Sequence, residues 1–230
     1  MARRRRILVA TAAVVVLLGG AVVAVPPLLF SDGVDYSYAA SIKRAAEYQD
    51  AALLARAWAL PVAQVYAHDG VDYQSNGSFC GPTSAVNVLR SLGQTADQAH
   101  ILDGSGRKTT FGMLWGGITL DALADVVRQK SGRPVTVLRD LSLDEFRKEL
   151  AQSNDPAVRY IVNFHRGPLF ATGGGHHSPI GGYLADRDLV LVVDVNKKYQ
   201  PWLVPTARLF EAVDTVDRAT GKKRGLLRIE

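Results

Sequence analysis

The sequence holds one cysteine, Cys80, in 230 residues. A lone cysteine can close no internal disulfide and build no multi-cysteine metal site. Charge is missing from Ile7 to Phe30, directly after the four arginines Arg3 to Arg6. There are no internal repeats and no low-complexity tracts. A basic patch with interleaved aromatics is also absent, although the formal net charge is +5. Of the 27 lysines and arginines, four are Arg3 to Arg6; the remaining 23 nearly balance 22 acidic side chains. The high isoelectric point therefore does not point to nucleic acid as a partner. A chain of this length can bury a core without disulfides.

The uncharged run is long enough to span a bilayer, and the arginines before it hold the N-terminus on the cytoplasmic side. Residues 1–30 are expected to be a signal peptide or a transmembrane anchor. Ala21-Val22-Val23-Ala24 offers a small-residue cleavage site, and Gly19, Gly20, Pro26 and Pro27 weaken the far half as a helix. Either outcome places the remainder of the chain in the periplasm or otherwise outside the cytoplasm. Residues 31–64 read as a helical lead-in, with an alanine-rich helix expected from Asp35 to Leu60, and residues 65–230 as the globular domain.

Two readings of Cys80 compete: burial as a small apolar side chain, or reactivity. It stands in Asn76-Gly77-Ser78-Phe79-Cys80-Gly81-Pro82-Thr83-Ser84. Gly81 and Pro82 suit a turn into a first helical turn, and Ala85, Val86, Val88, Leu89 and Leu92 follow at helical spacing up to Gly93. A thiol at a helix N-terminus faces unpaired N–H groups and the positive dipole end, both of which favour thiolate.

A cysteine nucleophile needs a base, and the base needs an orienting group. His68 precedes a turn and His100 lies in a polar segment, so surface roles fit both. His176 and His177 follow three glycines, and Ser178 to Tyr183 then reads as a strand. Asp186-Arg187-Asp188 is a hairpin turn, and the β-prone run Leu189 to Val193 ends at Asp194. Strands joined by a short turn bring their far ends together, which predicts that His176 and Asp194 are neighbours. Gln74, six residues before the cysteine, is a candidate oxyanion donor beside the Cys80 N–H. The remaining pattern predicts a loop from Gln94 to Phe111 that lines the cleft. It also predicts a helix capped by Thr119, a strand over 134–139 and a helix opened by the Ser142/Glu145 capping box. A strand over 157–164, a helix capped by Thr206 and a final strand over 225–229 complete the set. Helices lead and antiparallel strands follow, so the class is α+β.

Gln-x5-Cys-Gly, Gly-Gly-His-x-Ser-Pro and a strand ending in Asp-Val eighteen residues past the histidine resemble the phytochelatin synthase family. The likeness is to its short bacterial, catalytic-domain-only members. Gly117 to Asp121, Ile161 to Arg166, Asp214 to Asp217 and Arg224-Gly225 agree with it. Pro82-Thr83 and a stretch one residue shorter after Asp194 depart from it, and the cysteine-rich C-terminal domain of plant members has no counterpart. The resemblance implies a papain-like two-part fold, a helical half carrying the nucleophile and a sheet half carrying histidine and aspartate. It implies a triad of Cys80, His176 and Asp194, with Gln74 in the oxyanion hole and Arg166 and Arg224 holding the acyl group's charged end. His176 takes the base position because the family has one histidine, two residues before Ser-Pro. The implied activity is acyl transfer from glutathione to water or to a second glutathione, which yields phytochelatins. No tightly bound cofactor is implied; a heavy metal such as cadmium or zinc enters as a thiolate complex of the substrate. A papain-type peptidase with another substrate, and a membrane-tethered glutathione–metal binding protein, are the alternatives.

Overall fold

The structure is a computed structural model that describes residues 14–18, 21–25 and 35–230. It divides into two units, residues 1–35 and 36–230. Of the first, Val14–Leu18 (β1) and Ala21–Val25 (β2) pair antiparallel, Val14 opposite Val25. The rest of the signal or anchor expected over 1–30 lies outside the described residues. Among the described residues no helix is long and apolar enough to cross a membrane.

In the second unit, Arg159–His165 (β4) is buried along its whole length, so the strand needs cover on both faces. Around it form Val135–Leu138 (β3), Gly175–Leu184 (β5), Leu189–Val192 (β6), Trp202–Pro205 (β7) and Gly225–Ile229 (β10). Val216–Asp217 (β8) and Lys222–Lys223 (β9) make a small separate ribbon. The main sheet runs β3-β10-β4-β5-β6-β7, antiparallel throughout. β7 lies in a stretch where the sequence signalled no strand.

Side chains alternate across the sheet, and each face has its own core. Ile161, Leu227 and Ile229 pack with Cys80–Ser91 (α3) and Leu120–Ser131 (α4). On the same face Leu191 and Leu203 meet Ala51–Trp58 (α1) and Pro61–Asp69 (α2). Tyr160, Val162, Phe164 and Trp202 point the other way, to Leu143–Gln152 (α5), Arg166–Phe170 (α6) and Thr206–Val213 (α7). Helices therefore interleave with the strands of the second half as well as preceding them.

The caps explain most boundaries. Thr119 accepts from Ala122 N, Gly132 closes α4 at φ 67°, and Ser142 and Glu145 form the full capping box. Thr206 is the first helical residue rather than the cap, and its hydroxyl donates to Asp188 O. The single helix expected from Asp35 to Leu60 does not form. Asp50 caps α1 by accepting from Leu53 N at 2.8 Å, and the segment before it is held by tertiary contacts. Ile42 and Tyr48 are buried in the core, and Tyr48 O accepts from Leu203 N at 3.0 Å. These contacts outweigh the alanine-rich propensity. α2 opens at Pro61, whose missing N–H costs nothing there.

Phe146 is fully buried on the α5 face, away from the nucleophile. Phe146→Ala is expected to cost about 3–5 kcal/mol of stability, read from the urea unfolding midpoint. A loss below about 1 kcal/mol would show that this core does not carry the fold.

Candidate active site

Cys80 is the first residue of α3, and Phe79 before it supplies no side-chain cap. In the first turn Pro82 has no N–H and Thr83 N donates to Phe79 O at 2.9 Å, which leaves the N–H groups of Cys80 and Gly81 without an intrahelical partner. Gly81 lets α3 close onto its neighbours: an added methyl would drive into Ile118 Cγ2 and come 3.5 Å from His177 Nδ1. The loop after α3 is tied to the same turn, through Asn76 Nδ2 to Gly112 O at 3.0 Å and Leu114 N to Ser78 Oγ at 2.9 Å.

The partner side is β5. Its register sets His176 opposite Phe164 and His177 opposite Asn163, so the two imidazoles leave opposite faces of the sheet. His176 packs edge-on to Phe164, and its Nε2 lies 3.0 Å from Asp194 Oδ1. Asp194 has no solvent exposure. It accepts from Arg166 Nη2 at 2.9 and 2.8 Å, from Trp202 Nε1 at 2.9 Å and from Asn196 N at 2.9 Å. Four donors thus surround one buried carboxylate, which matches its acceptor capacity.

The charges follow from this packing. Burial pushes the Asp194 carboxyl up, but His176, Arg166 and the Trp202 N–H hold it well below the ordinary carboxylate range. Burial and Arg166 push His176 down, yet Asp194 and the thiolate leave it above its ordinary value. Burial would raise the Cys80 thiol. The charge and hydrogen bond of His176, and then those of His177, bring it well below the ordinary thiol range. Cys80 is thus buried and yet lowered as a thiol, so burial does not by itself exclude the reactive reading of its sequence context.

The neighbours expected from the hairpin, His176 and Asp194, are in contact. Gln74 is tied to the residue after Asp194, its N donating to Val195 O at 2.8 Å. Its Nε2 donates to Asn76 O at 2.8 Å, and its Oε1 is buried without a partner. Arg166 is turned inward onto Asp194 through Nη2, with its guanidinium 3.8 Å from the Tyr199 ring centre, while its Nη1 is buried without a hydrogen-bond partner. The cause is local: His165 accepts from Gly167 N and starts α6 directly after β4, which swings Arg166 toward Asp194. Arg224 lies against the strand of the histidines. Its Nη1 donates to Thr215 Oγ1 and Val216 O, and a Cβ on Gly175 would come 3.0 Å from its Nη2. Trp202 gave no signal in the sequence, and Asn163 entered only as part of the stretch Ile161 to Arg166; strand alternation, applied to His176-His177, sends the two rings to opposite faces. Among the described residues no group of three or more His, Cys, Asp or Glu stands where it could hold a metal ion.

A family model described as phytochelatin synthase matches residues 47–226. The chain belongs to the phytochelatin synthase family. Among curated phytochelatin synthase relatives, glutathione gamma-glutamylcysteinyltransferase 1 of Arabidopsis thaliana is 43% identical over 173 residues, 68% of this chain and 34% of that protein. The same plant's glutathione gamma-glutamylcysteinyltransferase 2 is 36% identical over 169 residues, 68% of this chain and 37% of its own length. The glutathione gamma-glutamylcysteinyltransferase of Schizosaccharomyces pombe is 29% identical over 170 residues, 68% and 41%. The match spans well under half the length of each of these relatives. A C39-like peptidase from Bacillus anthracis shares the fold at 15% identity and a TM-score of 0.51, covering 71% of this chain and 95% of that one.

Asp194→Ala would leave the Arg166 guanidinium buried beside the family's histidine with no counter-charge. It is expected to cost about 3–5 kcal/mol, measured by urea unfolding. A stability loss under about 1 kcal/mol would show that the carboxylate does not organise this centre.

Proposed function

We propose that the chain is a glutathione γ-glutamylcysteinyltransferase or glutathione hydrolase that works through a γ-glutamylcysteinyl thioester on Cys80. The observation that carries this reading is Cys80 at the first position of α3, its thiol lowered by His176, with His176 bonded to Asp194 at 3.0 Å. On this reading the fold is papain-like, with α3 and β5 bringing nucleophile and base together. The thiolate attacks the carbonyl of the Cys–Gly bond of glutathione, and the carbonyl electrons move to oxygen. The Cys80 N–H and one Gln74 Nε2 hydrogen receive that oxyanion, which requires Gln74 to turn from Asn76. His176 gives its proton to the departing glycine amine, and Asp194 keeps the ring charged until it does. Water or the free α-amine of a second glutathione then takes the acyl group, passing a proton back to His176 as the thiolate leaves.

With Arg166 committed to Asp194, Arg224 is the cation we assign to the γ-glutamyl carboxylate, since it lies beside Gly175 and one residue from His176. Cadmium or zinc enters as a glutathione thiolate complex, as substrate. Export, read from Arg3 to Arg6 ahead of an uncharged run, belongs to the same proposal and supposes glutathione outside the cytoplasm. A peptidase acting on another substrate is the second reading, favoured by the fold shared with the C39-like peptidase.

Mass spectrometry of the protein incubated with glutathione, with and without cadmium, tests the assignment. The expected result is a γ-glutamylcysteinyl adduct on Cys80 with glycine released, and loss of both in Cys80→Ser. Folded, reduced protein that forms no adduct and releases no glycine would contradict it and favour the peptidase.

A further inference from the structure

His177 is a buried titratable side chain that the mechanism above does not use. Strand alternation sends it to the face opposite His176, where α3 lies. Its Nδ1 is 3.9 Å from Cys80 Sγ, within hydrogen-bonding reach of sulfur. The residue is 4% exposed, and its Nε2 is buried with no hydrogen-bond partner. An apolar side chain would fill such a place at lower cost, because an unpaired polar atom in a dry interior is destabilising. Directly opposite, on β4, stands Asn163. Its Nδ2 donates to His176 O at 3.1 Å, while its Oδ1 is buried without a partner. A ring nitrogen and an amide oxygen, one able to donate and one able to accept, are therefore both unpaired on adjacent strands and the same face.

We propose that His177 is a second catalytic imidazole on Cys80, with Asn163 as its positioning residue. The thiol then sits between two bases that leave opposite faces of one strand. When Asn163 Oδ1 accepts from Nε2–H, the lone pair of the ring is at Nδ1, facing sulfur. The S–H proton passes to Nδ1, the bonding pair stays on sulfur, and the imidazolium formed holds the thiolate by charge. His176, protonated at the outset beside Asp194, gives its proton to the leaving amine and recovers one from the acyl acceptor, and His177 returns its proton to sulfur when the thioester breaks. The inference rests on Cys80 being the nucleophile, as in the reading above, and does not require glutathione as the substrate.

The titratable groups acting on the thiol are His176 and His177, with Asp194 and Arg166 behind His176. Around Gly81, the neighbours beside His177 are Ile118 and Leu123, which do not titrate. The lowered position of the thiol includes a charge and a hydrogen bond from His177 as well as from His176.

Because Cys80 is the only cysteine, the rate of alkylation by iodoacetamide against pH reads this thiol alone. In His177→Phe the midpoint is expected to rise by about one pH unit, tenfold less thiolate on the acid side. Asn163→Leu should raise it in the same direction, and Asn163→Asp, which keeps the acceptor, should hold it at or below the wild-type position. His177→Gln stands in if the phenylalanine variant does not fold. A folded His177 variant with an unmoved midpoint overturns the proposal, as does Asn163→Asp behaving like Asn163→Leu. Alkylation does not depend on glutathione cleavage, so failure of the substrate reading would leave this result intact.

Discussion

The buried carboxylate of Asp194 is the constraint on which the rest of the centre depends. An isolated carboxylate with no access to water would be costly, and here Arg166, His176, the Trp202 indole and the Asn196 N–H all point at it. Each donor comes from a different part of the chain: the start of α6, the start of β5, the start of β7 and the turn after Asp194 itself. Satisfying one charge therefore fixes four elements relative to one another. It also fixes the His176 ring, since the Nε2 contact turns Nδ1 away from the carboxylate.

Arg166 shows what this arrangement demands. A guanidinium that bonds both oxygens of a buried carboxylate and rests on the Tyr199 ring is held on two sides. It lowers the proton affinity of His176 through space, while Asp194 raises it. The two effects oppose, and the imidazole stays above its ordinary value only because the carboxylate and the thiolate together outweigh the guanidinium and the burial. The centre is a balance of buried charges.

Much of this was legible in the sequence because the signals were local. Pro82 after Gly81 marked the entry to α3, Ser142 with Glu145 marked α5, and the short turn at Asp186 to Asp188 brought His176 to Asp194. What could not be read was set by distant partners. Asp35 to Leu60 has helical composition, yet Ile42 and Tyr48 are drawn into a core built from β4, β7 and α7, and the helix gives way. Arg166 matched a family position, but no spacing rule shows that it turns inward to an aspartate 28 residues later. Trp202 follows Pro201 with no pattern that marks its indole as a donor to the same aspartate. Strand alternation separates His176 from His177, but that His177 is the ring standing 3.9 Å from Cys80 Sγ shows only once α3 is packed on that face.

The most direct test of the account is the thiolate absorbance near 240 nm followed against pH, in the wild-type chain and in Asp194→Asn. With His176 raised and Cys80 lowered, the band should persist on acidification far below the ordinary thiol midpoint of about 8.5. Removing the carboxylate charge lowers His176 and should move the band's midpoint upward toward that value. A wild-type band that already titrates near about 8.5 would contradict the claim that Asp194 sets the charge state of Cys80.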